Sequence, residues 1–144
     1  MGREDEKVII IPCSGIGRVF GSVGREAAYQ VVEDLRPGKT ELVCLSALVM
    51  GDEEAKARVQ AHPTIAIDGC PKGCAQKNIA LAGGQVGAAV PVFEVFKQHR
   101  ELKSEAITIL DEKGLQLAQL LAERVAKQVD GLLRDKGDPG TEGG

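Results

Sequence analysis

The chain has 144 residues, of which 43 % are hydrophobic and 27 % are charged, a balance typical of one globular domain with a buried core. It carries a net charge of -3 and has no Trp, one Tyr and three Phe, so it lacks the positive field and the aromatic platforms of nucleic-acid-binding proteins. The apolar run after the charged start, MGREDEKVIII, is too short for a signal peptide or a membrane span. We therefore expect a cytoplasmic protein that binds neither nucleic acid nor a membrane.

The first half of the chain alternates predicted strands and helices. Residues 8–12 (VIIIP) are a continuous apolar run, which predicts a strand buried on both faces, and the glycine-rich loop CSGIGRVFGS follows. Apolar residues then recur at helical spacing over 22–36, with Ser22 as the expected N-cap. The run LVCLSALV within 42–49 predicts a second strand, and 51–60 predicts a short helix.

The second half continues the alternation. Its expected elements are a strand over 64–68, a helix over 72–82, a strand over 85–92, a candidate helix over 93–102, a strand over 106–110 and a long helix over 114–134. This order predicts a single α/β domain over 1–136, a three-layer Rossmann-like fold with a mainly parallel sheet of four to five strands. The remaining residues, 137–144, are expected to form a disordered tail.

Three of the four cysteines are predicted at one edge of this sheet, and the fourth, Cys44, joins them only if the second strand ends near it. Cys13 follows the first strand, Cys70 follows the third, Cys74 lies in the first turn of the next helix, and Cys44 lies inside or near the end of the second strand. Ligands bind beyond the carboxyl ends of the strands in such sheets. All four thiols can therefore converge on a metal ion if the second strand ends near Cys44 and lies beside the first.

The helix that begins near Cys74 gives a physical reason for metal binding. Its N-terminal amides, with Lys72 and Lys77 nearby, favour the thiolate form that metals require. Asp68 lies at the end of the third strand, where it could orient a ligand, act as a general base, or cap this helix. We expect the cap.

Ordinary core packing is the simpler alternative for these thiols, because unpaired cysteine is among the most buried residue types. Cys44 fits this alternative best, since Val43 and Leu45 flank it in an apolar run. Neither histidine is expected to be a ligand of the metal ion. His62 is separated from Cys70 by the length of a strand, about 20 Å, and His99 is expected at the surface.

The first loop suggests an enzyme of a different class. CSGIGR, from Cys13 to Arg18, is similar to the oxyanion loop of low-molecular-weight phosphatases and arsenate reductases, in which a nucleophilic cysteine, loop amides and an arginine bind the anion. Those loops have five residues between Cys and Arg and this one has four, and no acid is evident to protonate a leaving group. Phosphocysteine carriers also place a cysteine after their first strand. A dinucleotide fingerprint is excluded because position 20 is Phe20 where it needs a third glycine.

The segment IDGCPKGCAQKN (67–78) resembles the DGC-domain family, together with PCSGIG, the helix VGREAAYQVVEDL and the cysteine of LVCLSAL. This family is named for its Asp-Gly-Cys motif, and zinc binding by four cysteines is proposed for it. The resemblance covers about residues 8–110 and implies that the zinc ligands are Cys13, Cys44, Cys70 and Cys74.

Four thiolates would close the coordination sphere of zinc, which favours a structural or sensing role. An iron-sulfur cluster is the alternative occupant, since four cysteines suit it equally. The cysteine-nucleophile enzyme that uses the Cys13 loop remains the alternative from another class, so the sequence leaves open whether the protein is an enzyme.

Overall fold

The chain alternates strands and helices around one sheet. In the computed structural model, which describes residues 7–13, 19–69, 73–102 and 111–137, the strands are β1 (Val8–Pro12), β2 (Thr40–Leu42), β3 (Thr64–Ile67) and β4 (Val86–Ala89). The helices are α1 (Val19–Gln30), α2 (Leu45–Val49), α3 (Glu53–Ala61), α4 (Cys74–Leu81), α5 (Val92–Gln98) and α6 (Glu112–Gly137). A π-helical turn (Val31–Leu35) extends α1, and a short 3-10 helix (Arg100–Leu102) follows α5.

The four strands pair in the order β2-β1-β3-β4, and every pairing is parallel. In the centre of the sheet, Ile10 is in register with Leu42 on one side and with Ile65 on the other. The predicted α/β fold with a mainly parallel sheet is therefore confirmed. The predicted fifth strand over 106–110 and the tail beyond Gly137 lie outside the described residues.

The central strand β1 separates two hydrophobic cores. Val8 and Ile10 face a core that contains residues of α1, α5 and α6, whereas Ile9 and Ile11 face a core that contains residues of α2, α3 and α4. All four side chains are fully buried, and burial of a side chain of this size contributes about 1.5–3 kcal/mol. The continuous apolar run of β1 thus has the predicted cause, a layer of helices on each face of the sheet.

Helix α6 closes the first core with one apolar face, which comprises Leu117, Leu121, Val125 and Val129. These residues recur every four positions, as the sequence predicts. None of the described helices is both long enough and apolar enough to cross a bilayer.

Three predicted boundaries are wrong. The second strand ends at Leu42, and the rest of its apolar run forms α2, in which Leu45 and Leu48 are buried and Val49 is exposed. A short apolar run fits a buried strand and a buried helix equally well, which explains the error. Ser22 lies inside α1 and does not cap it, because α1 begins at Val19. The predicted strand over 85–92 ends at Ala89.

The turn after α4 approaches α3 too closely for any side chain at position 84. A Cβ atom on Gly84 would lie 2.8 Å from the carbonyl oxygen of Val59, whereas a Cβ on Gly131, in α6, would meet nothing within 4 Å. We expect Gly84→Ala to lower the free energy of unfolding by about 1–3 kcal/mol through this clash. Gly131→Ala is the matched control and should raise it by about 0.5–1 kcal/mol, because alanine favours a helix interior. Urea unfolding measures both changes, and a Gly84→Ala protein as stable as the parent would contradict the packing described.

Candidate functional site

The ends of the three adjacent strands β2, β1 and β3 bring the candidate residues to one edge of the sheet. The backbone N–H of Cys13, just after β1, donates to the carbonyl of Ile67 at the end of β3 over 2.8 Å. On the other side of β1, the N–H of Val43 donates to the carbonyl of Ile10 over 3.1 Å. Strand pairing thus extends one residue beyond the strands, and the residues that follow them share one edge.

The side chain of Cys13 is buried and faces the turn that follows β3. Its exposed fraction is 8 %, and its Sγ accepts a hydrogen bond from the backbone N–H of Gly69 over 3.1 Å. This contact joins the first candidate ligand to the Asp68-Gly69 turn, which directly precedes Cys70 in the sequence. Cys70 itself lies outside the described residues, as do Pro71, Lys72 and the Ser14–Arg18 part of the candidate oxyanion loop.

Cys44 lies at the N-cap position of α2 with an extended backbone, and its side chain is exposed. Its placement therefore contradicts the expectation that Cys44 fits the core-packing alternative best. The Cys44 Sγ is 2.9 Å from the Oγ of Ser46. The hydrogen bond from the Ser46 hydroxyl lowers the pKa of the Cys44 thiol, and backbone hydrogen bonds from Ser46 and Ala47 act in the same direction, whereas burial opposes them. Cys44 is therefore biased toward the thiolate, the form that binds metals and attacks electrophiles.

Cys13 and Cys44 line the same cavity, which has a volume of about 430 Å³. Its other walls are Pro12, the side of α1 that carries Arg25 and Tyr29, and residues 42–46. Two cysteines that are distant in sequence thus meet at one cavity because β2 lies beside β1 and ends before Cys44. The sequence predicted that Cys44 could join the site only if the second strand ended near Cys44 and lay beside the first, and the structure meets both requirements.

Asp68 caps α4, as predicted. Its side chain is only 3 % exposed, and its Oδ1 accepts a hydrogen bond from the backbone N–H of Ala75, the second residue of the helix, over 2.8 Å. Gly73 reaches the helix with a φ of 68°, a conformation that favours glycine. The other carboxylate oxygen, Oδ2, is buried and lacks a hydrogen-bond partner in the described part of the chain.

The remaining candidates are not gathered at the cavity. Cys74 is the first residue of α4 and is exposed, and it does not line the cavity. His62 precedes β3 at the opposite edge of the sheet, while His99 is partly exposed, with its Nδ1 3.7 Å from a carboxylate oxygen of Glu101. Across residues 7–13, 19–69, 73–102 and 111–137, no three His, Cys, Asp or Glu side chains are grouped so that they could hold a metal ion. The thiols suit zinc chemically, but the described ones do not complete a site.

Arg25 and Tyr29, which α1 directs to the cavity, are not among the site residues predicted from the sequence. The Nη2 of Arg25 donates to the Oγ of Ser22 over 3.3 Å, one helical turn earlier. A signal for this polar face was present, since Ser22, Arg25 and Tyr29 recur at spacings of three and four in a helix that is otherwise apolar on its buried side.

The family model described as DGC domain matches residues 9–129, most of the chain, and this range includes all four cysteines. Searches of curated proteins and of solved structures returned no match.

The contact between Ser46 and Cys44 should control the reactivity of this thiol. We expect Ser46→Ala to move the midpoint of Cys44 alkylation to higher pH, because the variant loses the hydroxyl that lowers the Cys44 pKa. The rate of iodoacetamide labelling as a function of pH, read for each cysteine by peptide mass spectrometry, measures the shift. Labelling of Cys74 in the same sample is the internal control. An unchanged pH profile for Cys44 would show that the hydroxyl does not stabilise its thiolate.

The cap formed by Asp68 should contribute to stability. Asp68→Ala leaves the buried amide of Ala75 without an acceptor, so we expect it to lower the free energy of unfolding by about 0.5–2 kcal/mol. Asp68→Asn keeps an oxygen acceptor and should lose less. Asp52→Ala is the matched variant for comparison. It removes the equivalent cap of α3, in which Asp52 accepts a hydrogen bond from the N–H of Ala55. Urea unfolding of the three variants tests the cap, and an Asp68→Ala protein with the stability of the parent would refute it.

Proposed function

The chain belongs to the DGC-domain family, and we propose that it binds one zinc ion through the thiolates of Cys13, Cys44, Cys70 and Cys74 at the carboxyl edge of its sheet. The observation that carries the proposal is the common cavity of Cys13 and Cys44. Each of these cysteines comes from a different strand end, so the fold itself supplies two of the thiols that a zinc site needs.

The turn after β3 supports the participation of the other two cysteines. Gly69 donates its N–H to the sulfur of Cys13, and Cys70 is the next residue in the sequence. Asp68, in the same turn, holds the first turn of α4, where Cys74 is the first helical residue. Contacts of the Asp68-Gly69 turn therefore link the chain near Cys70 and Cys74 to Cys13.

The electrostatics of Cys44 also favour metal binding. Zinc binds the thiolate, and the hydrogen bond from Ser46 lowers the pKa of the Cys44 thiol. Because the described side chains do not hold an ion by themselves, the proposal requires Cys70 and a rearrangement of the exposed Cys44 and Cys74 side chains on binding. Such coupling between metal binding and local structure is common for thiolate sites.

A closed shell of four thiolates leaves no position for water or substrate on the ion, so the proposed role is structural or sensing. The same four donors suit an iron-sulfur cluster, which differs from zinc in colour and iron content.

The metal content of anaerobically purified protein tests the proposal. We expect about one equivalent of zinc and no visible absorption, with the metal reduced or lost in Cys13→Ser, Cys44→Ser, Cys70→Ser and Cys74→Ser, because each variant removes one thiolate donor. His62→Ala and His99→Ala are the matched controls and should keep the zinc of the parent, since one histidine lies at the opposite edge of the sheet and the other contacts Glu101.

Three results would contradict zinc binding by thiolates. A brown protein that contains iron would assign the cysteines to a cluster. Full zinc content in all four serine variants would exclude the cysteines as ligands. Hydrolysis of a phosphate monoester by metal-free protein, lost in Cys13→Ser and retained in Cys70→Ser, would favour the cysteine-nucleophile enzyme.

A further inference from the structure

Arg25 carries a charge that its described surroundings do not balance. Its Nη2 donates to the hydroxyl of Ser22, which is neutral, over 3.3 Å. Its Nη1 is buried and has no hydrogen-bond partner in the described part of the chain. Within the described ranges, no carboxylate lies within ion-pair distance of the guanidinium; the arginines paired there with Asp or Glu are Arg36 and Arg58.

An unpaired buried guanidinium nitrogen is unfavourable. The arginine side chain stays protonated in proteins, so this group cannot escape the cost of burial by losing its charge. A buried donor without an acceptor forfeits its hydrogen bonds to water, and the cost is larger for a charged group. A position of this kind is one that a ligand with a negative charge would stabilise.

The cavity beside Arg25 has the size and walls of a small-molecule site. Its volume of about 430 Å³ lies within the range of about 300–1,000 Å³ that is usual for such sites. Pro12 and the apolar residues Leu42, Val43 and Leu45 form much of its wall, and Tyr29, which is 47 % exposed, adds an aromatic ring. Among the residues described in this wall, a single cation amid mostly apolar side chains fits a ligand that has an anionic head and an apolar body.

We propose that this cavity binds a small organic oxyanion, a phosphate monoester or a carboxylate with an apolar body of about one ring, whose head pairs with the guanidinium of Arg25 in the cavity wall. The planar guanidinium favours oxyanions because its donors match the spacing of two oxygens. The cavity is larger than a phosphate or carboxylate group, so its apolar walls are available to the body of the ligand.

This inference does not depend on zinc. Arg25 lies on α1, outside the proposed ligand set, and its charge is present with or without a metal ion. Cys13 and Cys44 share the cavity with it, however, and a zinc ion bound by four thiolates would have a net charge of about -2. We therefore expect the oxyanion to bind metal-free protein more tightly than zinc-loaded protein.

Calorimetric titration with phenyl phosphate, benzoate and the neutral analogue phenol tests the proposal. In metal-free, reduced protein we expect at least one of the two anions to bind and phenol to bind at least tenfold more weakly. Arg25→Gln should weaken the binding of that anion about ten- to a hundredfold. Arg25→Lys keeps the charge without the planar donor pair and should give an intermediate affinity. Arg124→Gln, which removes a surface arginine that donates to Gln98, is the matched control and should bind like the parent.

The anions distinguish the two possible heads, since tighter binding of phenyl phosphate assigns a phosphate ester and tighter binding of benzoate assigns a carboxylate. Phenol that binds as tightly as the anions, or an Arg25→Gln protein with unchanged affinity, would overturn the proposal. The absence of binding of both anions to metal-free protein would also overturn it, and weaker zinc binding in Arg25→Gln would then assign Arg25 to the thiolate site. If Arg25→Gln does not fold, which the loss of the parent's cooperative unfolding transition would show, the test rests on the affinity of Arg25→Lys for the anions and on the affinity of the parent for phenol. Failure to find zinc would leave the expected anion titration unchanged, so the two proposals fail separately.

Discussion

The attachment of Cys13 to the end of β3 is the interaction on which the rest of the site depends. The backbone N–H of Cys13 donates to Ile67, and its sulfur accepts from Gly69. These two bonds continue the parallel pairing of β1 and β3 past the last strand residues and hold the first thiol against the turn that leads to Cys70. A displacement at this junction would therefore alter both the sheet edge and the position of the buried sulfur.

The short β2 strand has a comparable effect on the other side of β1. It ends at Leu42, so the chain turns into α2 beside the end of β1 and Cys44 becomes the N-cap residue of that helix. A longer strand would have carried this residue away from Cys13 at about 3.3 Å per residue. The early end also exposes the Cys44 sulfur and places it next to the Ser46 hydroxyl, which lowers its pKa. The position of this thiol and its lowered pKa thus have the same local cause.

The sequence predicted what apolar periodicity controls and missed what tertiary contacts control. The burial of β1 on both faces and the apolar face of α6 follow from their patterns alone, and the cap formed by Asp68 follows from its place after β3. The division of residues 42–49 between a strand and a helix has no such signal, because Leu45 and Leu48 suit either structure. Arg25 was missed for a related reason: a charged residue on a helix is expected in solvent, and only the packing of α1 places its Nη1 out of reach of water.

Electrostatics relates the proposed zinc site to the proposed oxyanion site, because Cys13, Cys44 and Arg25 line the same cavity. The thiolates of the proposed zinc site and the guanidinium of Arg25 would line one cavity with charges of opposite sign. A zinc ion would neutralise only part of the charge of four thiolates, and Arg25 would then offset some of the remainder. In metal-free protein the guanidinium keeps its charge, which is then available to an external anion. Occupation by metal and occupation by oxyanion are therefore expected to oppose each other, and the affinity for one should report the state of the other.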